Sequence, residues 1–246
     1  MSDYAFYFLN TKQKKLFKLF RDALFRHTQF IPIPEIDAND ISIILKAVLT
    51  DTPDIFWFEG KWEYAVIGSS RCIHPLYTIN SSDSLIIQGQ VDEMCSAILR
   101  AADYSSEMLR IRYAYNWILS NVEYGFEEGR GQTIYDVLIK RKAVCKGLSK
   151  GLQFLLKQMS LFSTLQEGTI DGISKHVWNI VEIKNTYCNV DDSMGYDRFS
   201  YLFESDREND KYRCFAVSNA KLSNYHRIQD LPWPSLICNQ NYPGVS

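Results

Sequence analysis

From Lys12 to Phe30 apolar residues recur at helical spacing. Leu16, Leu19, Phe20, Ala23 and Leu24 fall on one face and basic residues on the other, which predicts an amphipathic helix. Such a helix can lie on a membrane surface. Here Asp22 and the exit sequence IPIPE favour a helix packed on its own domain. Asp37, Asn39 and Asp40 then offer caps to a second helix over ISIILKAVL. Three short aromatic or β-branched runs follow, IFWFEG, KWEYAVIG and HPLYTIN, and read as strands between turn residues. From Val91 to Val122 the spacing is helical again, with a break near Asp103–Ser105. In the second of these helices Leu109, Tyr113, Asn116, Trp117 and Ser120 share one face. A loop rich in glycine and charge, EYGFEEGRGQT, leads into a helical stretch, IYDVLIKRKA. Beyond it Leu148, Leu152, Leu155, Leu156 and Met159 form an apolar stripe, predicting a mostly buried helix that begins close to Cys145. The remainder is β-like: FSTLQEGTI, HVWNIVEI, YCNVDDS and RCFAVS. Helices followed by an antiparallel meander define an α+β fold rather than a parallel α/β sheet. The expected division is 1–100, a smaller mixed α/β accessory region, and 101–246, the main domain.

Composition narrows the function classes. The chain has 246 residues, 46% of them hydrophobic, with 15 Tyr, 14 Phe and 5 Trp, so a large packed interior is easily built. A net charge of −2 supplies no basic field for nucleic acid. No apolar run approaches the roughly 20 residues that span a bilayer. The start, MSDYAFYFLN, lacks the apolar core and cleavage site of a signal peptide. As written, a cytoplasmic protein is expected; a secreted or cell-surface one requires that a leader has been removed. Six cysteines, at 72, 95, 145, 188, 214 and 238, include no C-x-x-C pair, so reduced thiols are expected, mostly buried as small hydrophobes. No cluster has zinc spacing and no loop suits calcium, so neither a metal nor a cofactor is expected. GFEEGRG is too far from a phosphate loop to count as one.

Chemistry concentrates at two places. Cys145 stands at the head of the striped helix, where unpaired N–H groups and the helix dipole favour thiolate over thiol. Gly147 and Gly151 lie one turn apart in that helix and suggest close approach of another backbone. The second place is KHVWNIVEIKNTYCNVDDS, 175–193. A two-residue turn at Lys184–Asn185 pairs Ile183 with Thr186, and paired residues then face each other back to Trp178 and Asp191. His176, Trp178, Asp191 and Ser193 share one side of that hairpin, and Asp192 points the other way. Asp191 is therefore the carboxylate expected to reach His176. A three-residue turn would reverse the choice, because a slip of one residue flips every side chain. His27, His74 and His226 are expected to be structural.

These residues resemble the transglutaminase-like superfamily, the papain-related cysteine enzymes. Its pattern is a Gly-Val-Cys-x-Gly-Tyr-Ala helix start, a His-Ala-Trp-Asn strand and a Val-Asp strand one hairpin later. This chain has AVCKGLS at 143–149, HVWN at 176–179 and VD at 190–191. The step from His176 to Asp191 matches the family spacing and independently selects Asp191. GQTIYDVLIKRKAVC upstream and YRCFAVSNAKLSNYH downstream are similar to the bacterial branch, as is DTPDIFWF near the start. Ala143, Leu148 and the DDSM at 191–194 depart from the pattern and put substrate preference in doubt. The resemblance implies an antiparallel sheet packed on the cysteine-bearing helix, in a domain over 101–246. It also implies an acyl-transfer enzyme with a Cys145–His176–Asp191 triad, acting on peptide or glutamine-type amides of a protein or peptide substrate. Gln132 is the candidate oxyanion donor, against a helix-capping or loop-bracing role. Trp178 is the candidate wall of the substrate channel, against a core role. The alternative is a non-catalytic protein-binding module that keeps the fold, with partner docking through the N-terminal region.

Overall fold

A computed structural model of the protein describes residues 3–127, 130–196 and 210–242. It divides into two compact units, 2–90 and 91–246. In the first, α1 (Tyr4–Phe8) precedes α2 (Thr11–Phe25), which starts in a capping box formed by Asn10 and Gln13. The buried face of α2 is Leu16, Phe17, Phe20, Ala23 and Leu24; Leu19 is exposed. This stripe lies in the interior of its own unit, as the exit sequence suggested. After β1 (Ile31–Pro32), α3 (Ala38–Asp51) begins where the Asp37 carboxylate accepts from the Asp40 N–H. The aromatic runs at 55–60 and 61–68 are not two strands. They give one bulged strand, β2 (Phe58–Ile67), paired antiparallel to β3 (Ser70–Tyr77), and the sheet order is β1-β3-β2. Gly60, in the left-handed region at φ 95°, sits at the irregularity and absorbs the turn that was read as a strand boundary.

The long helix α4 (Ser81–Arg100) begins ten residues before the periodicity suggested and carries the boundary between the units, at Gln90 and Val91. Beyond it, α5 (Glu107–Asn121) is capped by Ser106. The face of α5 that is buried differs from the expected one. Ile111, Ala114, Tyr115 and Ile118 are buried, and Leu109 is 39% exposed. Asn116 and Ser120 made the expected face partly polar, and the wholly apolar set one position round was the better stripe. A short parallel pair follows, β4 (Glu123–Tyr124) with β5 (Lys142–Ala143), separated by a π-helical turn over Asp136–Lys140. That turn ends at Arg141, whose φ of 60° stops the helix.

The buried helix α6 (Cys145–Gln158) leads to β6 (Ser163–Ile170), β7 (Ser174–Ile183) and β8 (Thr186–Val190). Leu148, Leu152, Leu155, Leu156 and Met159 are all buried. The expected strand at 213–218 is absent. Ala216 adopts φ 53°, which no strand accommodates, and only Val217 bridges to Asn189. The chain instead runs through α7 (Asn219–Leu222) to β9 (His226–Ile228), which pairs with β6 on the far edge. The resulting antiparallel order is β8-β7-β6-β9. The fold of this unit is α+β, an antiparallel sheet with the cysteine-bearing helix joined to it by hydrogen bonds. Among the described residues no helix is long and apolar enough to cross a membrane.

Candidate active site

Cys145 is the first residue of α6. Val144, the preceding residue, is extended and supplies no side-chain cap, so no side chain claims the N–H groups that open the helix. Two loop contacts frame this end: the Gly125 N–H donates to the Ala143 carbonyl at 2.9 Å, and the Val144 N–H donates to the Gly131 carbonyl at 2.9 Å. Gly147 explains how closely the loop can approach. A Cβ there would lie 2.2 Å from the Gly131 carbonyl oxygen, so only glycine fits. At Gly151 the neighbour is the Val137 side chain rather than a backbone.

Two hydrogen bonds tie the helix to β7. The Ser149 hydroxyl donates to the Val177 carbonyl at 3.0 Å, and the Asn179 amide donates to the Ser149 carbonyl at 2.9 Å. They set Cys145, one turn before Ser149, beside His176, one residue before Val177. The His176 ring is within hydrogen-bonding reach of the Cys145 side chain.

The β7–β8 turn is the two-residue type: Lys184 and Asn185 have φ of 50° and 60°, as a type I′ hairpin requires. Ile183 pairs with Thr186, and the register holds to Asn179 opposite Val190. Asp191 follows directly. Its Oδ2 accepts from His176 Nε2 at 2.6 Å, with both side chains almost wholly buried. With Nε2 committed to Asp191, Nδ1 is the nitrogen left to face Cys145. The other carboxylate oxygen of Asp191 accepts from the Ser193 N–H at 3.0 Å and the Ser193 hydroxyl at 2.7 Å.

Burial works against a charged imidazole at His176, yet the charge and hydrogen bond of Asp191 outweigh it, and Cys145 adds to them. The His176 pKa is pushed up to about 10. Burial also opposes ionisation of Asp191, but His176 and His226 hold its carboxyl well below the usual range. Asp192 is the reverse case. It is fully buried, neither carboxylate oxygen meets a side-chain hydrogen-bond partner among the described residues, and burial followed by the charge of Asp191 pushes its pKa well up.

Trp178 has no exposed surface. Its indole N–H donates to Asn189 Oδ1 at 2.9 Å, and it packs with Ile170, Met194, Cys214, Val217 and Leu222. The structure buries it in this core cluster, with its ring stacked 6.2 Å from that of His176. Gln132 is half-buried on the loop residue after Gly131, which touches the start of α6. The neighbouring Thr133 donates its N–H and hydroxyl to the Asp136 carboxylate at 2.9 and 2.7 Å.

His226, read as structural from sequence, lies in the site. Its Nε2 donates to Asp191 Oδ2 at 2.8 Å, the oxygen already bound by His176. The signal was weak because 35 residues separate His226 from Asp191 and the strand that delivers it has three residues. Buried polar contacts bring it back: Asn189 exchanges backbone hydrogen bonds with Val217 and donates its amide to Asn219 Oδ1 at 2.8 Å. His176, Asp191 and His226 form a group whose polar atoms could face one cation. The nitrogen–oxygen separations of 2.6 and 2.8 Å are those of donors and acceptors. Ligands 2.0–2.1 Å from a tetrahedral zinc stand about 3.3 Å apart. His27 and His74 do behave structurally, stacked on Trp57 and Phe30 at 5.0 Å in each case. Of the six thiols, which are all free, five are buried and Cys145 is partly exposed.

No family model matches the chain, and no curated protein matches it. Among solved structures it is similar to a crystal structure of a TGase at 13% identity and a TM-score of 0.42, over 75% of this chain and 55% of that one. It is also similar to a candidate cysteine protease from Cytophaga hutchinsonii at 13% identity and a TM-score of 0.37, over 54% of this chain and 61% of that one. The chain thus spans little more than half the length of either structure.

Proposed function

We propose that the protein is a cysteine-dependent acyl-transfer enzyme of the transglutaminase-like kind, acting on amide bonds of proteins or peptides through Cys145, His176 and Asp191. The observation that carries this reading is the buried 2.6 Å His176–Asp191 hydrogen bond with the ring within reach of the one partly exposed thiol. An imidazole whose pKa is raised to about 10 is a cation at neutral pH, the partner a thiolate needs. The Cys145 sulfur attacks the amide carbonyl, forming a C–S bond. The His176 imidazolium gives its proton to the departing nitrogen, and a thioester remains on Cys145. Water or an amine then attacks the thioester, His176 takes that nucleophile's proton, and the thiolate leaves. Asp191 orients the ring throughout. Developing negative charge on the carbonyl oxygen faces the uncapped start of α6, where the Cys145 N–H is the first donor and Gln132 the candidate second. The chemistry belongs to the 91–246 unit, which contains all of these residues. The 2–90 unit takes the accessory part, presenting a protein substrate.

The test is the rate at which iodoacetamide alkylates each cysteine, followed against pH by mass spectrometry in wild type and His176→Ala. Fast reaction of Cys145 alone below pH 7, lost in the variant, supports the reading. Reaction of Cys145 only near pH 8.5, like a free thiol, overturns it. Ammonia release from glutamine peptides, with and without an added amine, then separates deamidation from transamidation.

A further inference from the structure

Asp191 Oδ2 serves two imidazoles, and the proposed chemistry uses only one. His176 Nε2 lies 2.6 Å from this oxygen and His226 Nε2 lies 2.8 Å from it. The rings stand 5.3 Å apart. His226 is 1% exposed, and among the described residues its Nδ1 meets no hydrogen-bond partner. Nε2, facing a carboxylate oxygen, is the nitrogen that carries the donated hydrogen. The sheet is built to admit this second ring. Gly168 pairs with His176 on one side and Ile228 on the other. A Cβ at Gly168 would stand 2.2 Å from the Arg227 carbonyl and 2.7 Å from the Trp178 ring, the ring on which His226 rests edge-on at 5.0 Å.

We infer that His226 is a positioning residue that acts on His176 through Asp191, holding the shared Oδ2 in place and taking up part of its charge. This inference rests on the acyl-transfer reading above. A carboxylate oxygen with two N–H donors is a weaker acceptor toward each. His226 therefore keeps the His176 imidazolium from being over-stabilised, so that it can still release its proton to a leaving amine. The other groups facing Asp191 are Asp192 at the same strand end, Tyr115 from α5, Cys214 from the following segment and His176 itself. None of them donates to Oδ2 besides His176.

Two measurements test it. In the wild-type protein, ¹H–¹⁵N spectra of histidine-labelled material should show slowly exchanging Nε2 protons on two histidines that hydrogen-bond to Asp191, one of which disappears in His226→Gln. A His226 proton found on Nδ1 instead overturns the inference, whatever the variants do. The second measurement is alkylation of Cys145 by iodoacetate, an anion whose attack slows when the neighbouring imidazolium loses its charge. In His226→Leu the alkaline fall in rate should move upward by at least about half a pH unit. His226→Gln, which retains an N–H donor, should bring it back to the wild-type position. Superimposable profiles for all three proteins overturn the inference. If wild type shows no such fall, the acyl-transfer reading fails, and the spectra still decide whether His226 is bonded to Asp191.

Discussion

Asp191 and Asp192 are adjacent in the chain and opposite in environment. Asp191 accepts hydrogen bonds from His176, His226 and both the backbone and hydroxyl of Ser193. Asp192 is equally buried, and among the described residues neither of its oxygens meets a side-chain partner. Burial disfavours charge at both; at Asp191 the imidazole donors outweigh it, and at Asp192 burial wins.

Substituting the two should therefore have opposite consequences. Asp191→Asn leaves the His176 ring without an anion and should lower acyl-transfer turnover by on the order of 10²–10⁴-fold. Asp192→Asn should leave the low-pH reactivity of Cys145 unchanged. Steady-state rates and alkylation profiles of the two variants check this directly.

Asp192 also gives a signed stability prediction. Its folded-state pKa is raised well above 3.8, so the folded protein retains a proton that the unfolded chain has released. The contribution to stability is present at acid pH and is lost as pH rises above about 3.8 toward neutral. Asp192→Asn removes that loss. Its melting temperature should exceed the wild-type value at pH 7, by an amount that shrinks toward pH 4. Thermal melts across that range supply the comparison.

For His176 the sign is the same, in a higher pH window. Its pKa is raised from 6.5 to about 10. The stability gained from pairing with Asp191 is complete below pH 6.5 and fades as pH climbs to about 10. The difference in urea-unfolding free energy between wild type and His176→Gln should therefore be largest near pH 6 and small at pH 10. A difference independent of pH would mean that His176 is not charged in the folded protein.

Gly147→Ala should damage the site without touching the triad. The new methyl would lie 2.2 Å from the Gly131 carbonyl oxygen, which forces the loop or the start of α6 to move. Overpacking of this kind costs about 1–3 kcal/mol. It should also slow alkylation of Cys145 below pH 7. Gly89→Ala, with nothing within 4 Å of the added carbon, is the control and should leave that reactivity as it is.

The parts of this fold that were legible in sequence are those governed by local rules. Asp37, one of the caps offered by the sequence, caps the helix that follows it. The Lys184–Asn185 turn fixes a register that delivers Asp191, and not Asp192, to His176. What stayed hidden depends on contacts between distant residues. The parallel pairing of Glu123–Tyr124 with Lys142–Ala143 has no periodic signature over two residues. The 213–218 run has strand-like composition, but Ala216 takes a positive φ as the segment docks on Asn189. His226 follows from that docking, so its place on Asp191 could not be read from its neighbours in the chain.

The proposed chemistry turns on a Cys145 thiolate beside a His176 imidazolium. The most direct test is the 240 nm thiolate absorbance of wild type minus that of Cys145→Ala, titrated from pH 4 to 10. Burial pushes the pKa of Cys188 up to about 11 and of Cys238 up to about 12, so these thiols contribute nothing at neutral pH, and subtracting the variant removes the other cysteines as well. The account predicts a difference signal already present at pH 6 that is abolished in a His176→Ala background. A signal that grows in only around the ordinary thiol value of about 8.5, unaffected by His176, would contradict it.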